Sequence, residues 1–279
     1  MGGRLARAAQ SGRAPATGRA TGGLPDYRAG VRSAGQARFA IVARKWHKLR
    51  SMQTRPSQSP QAVLFDAYGT LFDVYSVGRL SEQLFPGSGE RLSLLWRDKQ
   101  IEYSRVRSMS GRYQPFWEVT RDALRFAALR LGLLLDDGRE QRLMAQYRQL
   151  DPFPENREVL EQLSRQGVRT GILSNGDPDM LAAVVAHAGF STWLDPVLSV
   201  HSVGRFKTDP ATYALGTAAL GLPAADILFV SSNGWDAIGA TWFGYTALWV
   251  NRAGLPLEQL GTEPARTGAS LRDVLDFFP

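Results

Sequence analysis

From residue 151 to residue 250, short apolar runs alternate with helical stretches about ten residues long. Periodicity predicts helices over 155–166, 177–188, 210–220 and 236–243, and strands over 168–173, 197–200, 227–230 and 246–250. Strands separated by whole helices pair in parallel, and the helices cover both faces of the sheet. The expected class is therefore α/β. An earlier run, Ala62-Val63-Leu64-Phe65, is apolar throughout and ends at Asp66 before Tyr68-Gly69-Thr70, which reads as another buried parallel strand meeting a turn. Residues 76–149 carry few strand signals and show helical patterns at 77–84, 91–109, 116–131 and 141–150. A helical segment is thus expected to be inserted after the first strand.

Ligands of open parallel sheets sit outside the C-terminal strand ends. Asp66, Ser174, Asn175, Ser231, Asn233 and Asp236 all fall there, with Lys207 in a loop after another strand. A lone Asp at a strand end is ordinarily a turn former or helix cap. Three further polar strand ends and an available Lys change that reading for Asp66, because a carboxylate can attack carbon or phosphorus as a nucleophile. Asp236 has a competing explanation as a first-turn acid favoured by the helix dipole. An isolated Arg97 would be a solvated residue on an amphipathic helix, and Tyr213 a surface aromatic. Tyr68, Phe116 and Trp235 are pocket walls or core. Asp73 and Asp177 read as turn or cap residues, His187 as structural, and nothing marks His201 as a base.

Phe65-Asp66-Ala67-Tyr68-Gly69-Thr70-Leu71-Phe72-Asp73 resembles the first motif of the haloacid dehalogenase superfamily. Ser174-Asn175-Gly176 resembles the second, Lys207 the third, and Ser231-Ser232-Asn233-Gly234-Trp235-Asp236 the fourth. The first and fourth are similar to those of the type II (S)-2-haloacid dehalogenases. The likeness spans residues 61–252, and four motifs in order make it specific. It implies a Rossmann-like parallel sheet core at 60–75 and 150–279, a helical cap at 76–149, and a homodimer in the cytoplasm. Its substrate would be a small 2-haloalkanoate, with no metal and no cofactor. Asp66 would attack C2 of an (S)-2-haloacid, displace halide with inversion and form an ester, whose hydrolysis at the Asp66 carbonyl releases an (R)-2-hydroxyacid. By the same resemblance Lys207 contacts Asp66 and the substrate carboxylate. Arg97 and Asn175 bind halide, Ser174 binds the substrate carboxylate, and Thr70 orients Asp66. Asp236 directs the hydrolytic water with Ser231 and Asn233 in support, and Tyr213 hydrogen-bonds near the carboxylates. Lys207-Thr208 departs from the Lys-Pro of many relatives, which bears on loop rigidity more than on chemistry.

Charge supports the need for Lys207. Two anions about 4 Å apart repel by roughly 4 kcal/mol at an effective dielectric near 20, which is about a thousandfold in rate. The rival within the superfamily is a magnesium-dependent phosphatase. That chemistry typically places a second Asp two residues after the nucleophile to protonate the leaving oxygen. Tyr68 stands there, and a phenol with pKa near 10 is a poor acid. Halide needs no proton on departure.

A rival from another class is a nucleic-acid binder. The chain carries 33 basic and 26 acidic residues, for a net charge of +7. Of these, 12 basic residues and a single acid, Asp26, lie in residues 1–60, so the remainder is mildly acidic. The stretch 1–59, rich in Arg, Gly, Ala, Ser and Pro, reads as a disordered leader. Three explanations stay open: an upstream extension with Met52 as the natural start, a transit-like peptide, or a polyanion-binding arm. No aromatic interleaving supports the last, so neither nucleic acid nor membrane is expected as a partner. The chain has no Cys, which excludes disulfides and thiolate sites, and its three His, at 47, 187 and 201, argue against a multi-His metal site.

Overall fold

In a computed structural model of the chain, residues 59–279 are described; the leader expectations lie outside them. The sheet has six parallel strands: β1 (Ala62–Phe65), β2 (Arg169–Ser174), β3 (Val197–Ser199), β4 (Ile227–Ser231), β5 (Thr246–Val250) and β6 (Arg266–Gly268). Their order is β3-β2-β1-β4-β5-β6, which is the Rossmann arrangement. β1 is central. Phe65 is in register with Ile172 of β2 on one side and Val230 of β4 on the other. All four β1 side chains are fully buried, which is why that strand reads as an unbroken apolar run. The strand order reverses direction beside β1, so Asp66 emerges at the crevice where such sheets bind ligands.

Four helices lie between β1 and the return of the chain to the sheet layer at Pro152: α1 (Val77–Leu84), α2 (Gly89–Met109), α3 (Phe116–Arg130) and α4 (Asp137–Gln146). The chain leaves and re-enters the sheet layer at adjacent points. Phe72 bridges Pro152 antiparallel, the Asp73 amide donates to the Asp151 carbonyl at 2.8 Å, and that of Phe153 donates to the Leu71 carbonyl at 3.3 Å. The remaining helices are α5 (Asn156–Arg165), α6 (Pro178–Ala188), α7 (Pro210–Leu220) and α8 (Gly234–Phe243). α7 shows why its ends fall where they do. The Asp209 carboxylate accepts the Ala211 amide, Pro210 takes the first helical position, and Gly221 follows the last in the left-handed region.

Two expectations change. The helix expected at 141–150 begins earlier, at Asp137, because the Asp136 carboxylate accepts the Arg139 amide at 2.8 Å and caps it. β6 has no counterpart in the sequence reading: Arg266 and Thr267 are exposed, so the strand carries no apolar signal. His187 lies on the exposed side of α6, outside the core suggested by its apolar neighbours. No helix among the described residues is long and apolar enough to cross a membrane.

Candidate active site

The strand-end turns set the site. After β1, Gly69 adopts φ +95°, a conformation that favours glycine, and its amide donates to the Phe72 carbonyl at 2.7 Å. The chain thereby folds back and brings Thr70 under Asp66. After β2 and β4, serines close similar turns: the Ser174 hydroxyl accepts the Gly176 amide and the Ser231 hydroxyl accepts the Asn233 amide, each at 3.1 Å. Gly176 has no room for a side chain, since a Cβ there would lie 2.6 Å from the Tyr68 ring.

Lys207 stands between two carboxylates. Its Nζ is 3.0 Å from Asp66 Oδ1 and 3.0 Å from Asp236 Oδ2, and all three side chains are almost fully buried. At an effective dielectric near 20 each pair attracts by roughly 5 kcal/mol, which works against a desolvation cost of several kcal/mol per ion and the repulsion between the two carboxylates. Burial opposes the Lys207 charge, but Asp236 and then Asp66 outweigh it and hold the ammonium above the ordinary lysine value. Burial pushes Asp236 up from the usual carboxylate range, and the Asp66 charge reinforces this against Lys207 and Tyr213. A carboxylate with raised proton affinity is a better base. The Tyr213 hydroxyl donates to Asp236 Oδ1 at 2.7 Å, and burial followed by the Asp236 charge pushes its phenol well up, so it stays a donor. Asp66 Oδ2 receives the Thr70 hydroxyl at 3.1 Å and the Asn233 amide nitrogen at 3.0 Å. The Lys207 amide donates to Asn175 Oδ1 at 2.9 Å, joining the loops that follow β2 and β3. The peptide bond between Lys207 and Thr208 is cis.

Above Asp66 lies a small cavity lined by Tyr68, Arg97, Ile101, Ser104, Phe116, Asn175, Asn233 and Trp235. Its volume is about 20 Å³, enough for about one water molecule. Arg97 reaches it from α2 and is 7% exposed. Its guanidinium donates to Gln100 Oε1 at 2.7 Å, the Tyr68 carbonyl at 3.2 Å and Asn233 Oδ1 at 3.3 Å, all neutral groups. A buried cation without a countercharge is costly, so this arrangement suits a visiting anion. Burial, then Tyr147, push the Tyr68 phenol far above its ordinary value, leaving no proton donor two residues after Asp66. Among the described residues no group of three His, Cys, Asp or Glu side chains could hold a metal ion.

Asp66, Thr70, Arg97, Lys207, Tyr213, Asn233 and Asp236 thus form one hydrogen-bonded assembly, with Tyr68, Phe116, Asn175 and Trp235 on the cavity wall. Ser174 and Ser231 are buried in their turns and do not line the cavity. Sequence reasoning missed Gln100, Ile101 and Ser104. They lie three, four and seven residues after Arg97, so helical spacing alone assigns them to its face. Gln100 is fully buried and donates to the Thr120 hydroxyl at 2.7 Å, fixing the amide that holds Arg97.

Asp177 caps a helix other than its own. Its carboxylate accepts the amides of Phe116 at 2.9 Å and Trp117 at 2.7 Å, and so seals the start of α3, where Pro115 offers no side-chain cap. Asp177→Ala leaves two amides without their acceptor, at a cost of about 1–3 kcal/mol. A chain of this size loses roughly 2–4 °C in Tm per kcal/mol. Calorimetry is expected to show a drop of several degrees; an unchanged Tm would mean that water replaces the cap.

The haloacid dehalogenase-like hydrolase family model matches residues 60–244, and the chain belongs to that family. Within it, the (S)-2-haloacid dehalogenase of Pseudomonas sp. (strain YL) is 46% identical over 218 residues, 78% of this chain and 94% of that protein. The crystal structure of an L-2-haloacid dehalogenase is 57% identical with a TM-score of 0.77, covering 79% of this chain and 99% of that one. The L-2-haloacid dehalogenase from Xanthobacter autotrophicus, solved with chloropropionic acid covalently bound, is 39% identical with a TM-score of 0.73, covering 77% and 96%.

Proposed function

We propose that the chain is a hydrolytic (S)-2-haloacid dehalogenase that works through an ester on Asp66. The observation that carries the reading is Arg97, a buried cation with only neutral partners, facing the same cavity as Asp66. Two steps follow. An Asp66 oxygen attacks C2 of a small 2-haloalkanoate from the side opposite the halogen, a C–O bond forms as the C–halogen bond breaks, and halide departs toward Arg97 and Asn175. Water then adds to the Asp66 carbonyl carbon and gives a proton to Asp236; the bond from that carbon to the substrate-bound oxygen breaks, that oxygen takes up a proton, and the (R)-2-hydroxyacid leaves with the former Asp66 oxygen. Negative charge moves from Asp66, beside Lys207, to halide, beside Arg97, so each end of the displacement has a cation. Lys207 also offsets repulsion between Asp66 and the substrate carboxylate. The cavity has room for about one water molecule, which limits bulk water in the first step. The covalently occupied Xanthobacter relative supports the ester route.

The helical segment 76–149 acts in this reading as a cap over the sheet core. A homodimer in the cytoplasm is carried over from the family resemblance, and sedimentation and fractionation test it. The decisive measurement is a single turnover of (S)-2-chloropropionate in H₂¹⁸O with a chelator present. Chloride is expected to appear, with label in the Asp66 carboxylate and not in the first hydroxyacid released. Label arriving directly in product would exclude the ester. Loss of turnover on chelation, or faster turnover of phosphate esters, would favour the phosphatase reading.

A further inference from the structure

Arg252 lies two residues beyond β5, outside the four motif blocks, yet all five of its N–H donors are engaged. Nε and Nη2 donate to Glu155 Oε1 at 3.0 and 2.8 Å, and Nη2 also donates to the Thr70 carbonyl at 3.2 Å. Nη1 donates to the Ser232 hydroxyl at 2.9 Å and the Gly69 carbonyl at 3.4 Å. The guanidinium plane sits 3.8 Å from the Phe153 ring centre. Burial raises the proton affinity of Glu155, but its own amide and Arg252 outweigh that and hold it below the ordinary value, so the pair stays charged.

The segments gripped are the ones that aim Asp66. Thr70 donates its hydroxyl to Asp66 Oδ2 and accepts the Ser232 amide at 2.8 Å. Asn233, next to Ser232, supplies the other donor to the same oxygen. Both groups that fix Oδ2 therefore hang from backbone that Arg252 ties together. Glu155 and Phe153 anchor the clamp where the chain returns from α4 to the sheet layer. Arg252 is not among the residues lining the cavity over Asp66.

We infer that Arg252 is a positioning residue for the nucleophile, locking the loops after β1 and β4 in one register so that Oδ2 keeps its two donors. The inference rests on the dehalogenase reading. Only a planar five-donor group can make these contacts together; the ammonium of lysine has three donors at one point. Misplacing a reacting group by about 1 Å through a distant change costs on the order of a hundredfold in rate.

The test compares the full-length wild-type chain, Arg252→Lys and Arg252→Ala, using mass-resolved single-turnover ester formation on Asp66, steady-state KM, and Tm. At a temperature well below the Tm of each variant, ester formation in Arg252→Lys is expected to slow by at least about tenfold. KM should move by less than about threefold, because substrate contacts remain, and millimolar guanidinium should restore part of the rate in Arg252→Ala. A merely structural role would lower Tm while leaving the folded enzyme's rate within twofold of wild type, and that result overturns the inference. If Arg252→Ala does not fold, Arg252→Lys decides on the same criterion. A wild-type chain that releases no halide would instead overturn the dehalogenase reading.

Discussion

Asp66→Asn is expected to abolish halide release while leaving the protein folded. The amide has no anionic oxygen for attack at C2, and removing a covalent nucleophile typically costs about 10⁴-fold or more. Stability should hold because the wild-type site buries two carboxylates against the single ammonium of Lys207. Removing one negative charge leaves the neutral Lys207–Asp236 pair, and an amide oxygen turned toward Lys207 keeps that bond while the amide nitrogen faces Thr70 and Asn233. A chloride electrode reads the first effect and a thermal melt the second. Residual turnover is informative only if intact-mass analysis shows position 66 still amidated, since slow deamidation would regenerate the nucleophile. Activity above about 1% of wild type with the amide intact would exclude Asp66 as nucleophile.

Lys207→Met should damage both fold and reaction. It leaves Asp66 and Asp236 buried without their cation, and unpairing a buried charge costs about 3–5 kcal/mol. With roughly 2–4 °C per kcal/mol, Tm is expected to fall by about 6–20 °C. One carboxyl then takes up a proton, because like charges at close range cannot both ionise. The sign of the pH response follows. Asp236 already has its proton affinity raised, and losing Lys207 raises it further. The folded state then holds a proton that the unfolded state has released, so stability falls as pH rises from the ordinary carboxylate value through the raised one. Initial rates should drop by about a thousandfold or more from lost charge compensation. A variant with wild-type Tm and a pH-independent melt would show that the two carboxylates do not depend on Lys207.

The sheet was legible because burial on both faces writes itself into strands as continuous apolar runs, as in β1 and β4, and because polar residues mark the turns that follow. β6 escaped since only Gly268 of its three residues is buried. Motif spacing located Asp66, Lys207, Asn233 and Asp236. Linear sequence could not indicate that Asp177 caps α3, a contact 60 residues away, or that the five donors of Arg252 find partners in three separated segments. Those choices depend on how the chain crosses itself. Gln100, Ile101 and Ser104 were within reach of helical periodicity once Arg97 was singled out.

The antiparallel bridge at Phe72 and Pro152 means that α1 to α4 occupy a detour whose entrance and exit touch. The sheet can therefore assemble without knowing how long or what shape that detour is. Replacement segments need only end a few ångströms apart to be grafted there. The carboxylates and the lysine held by the strand ends, the β3–α7 loop and α8 would then stay in place, while each new segment brings its own walls and its own counterpart of Arg97.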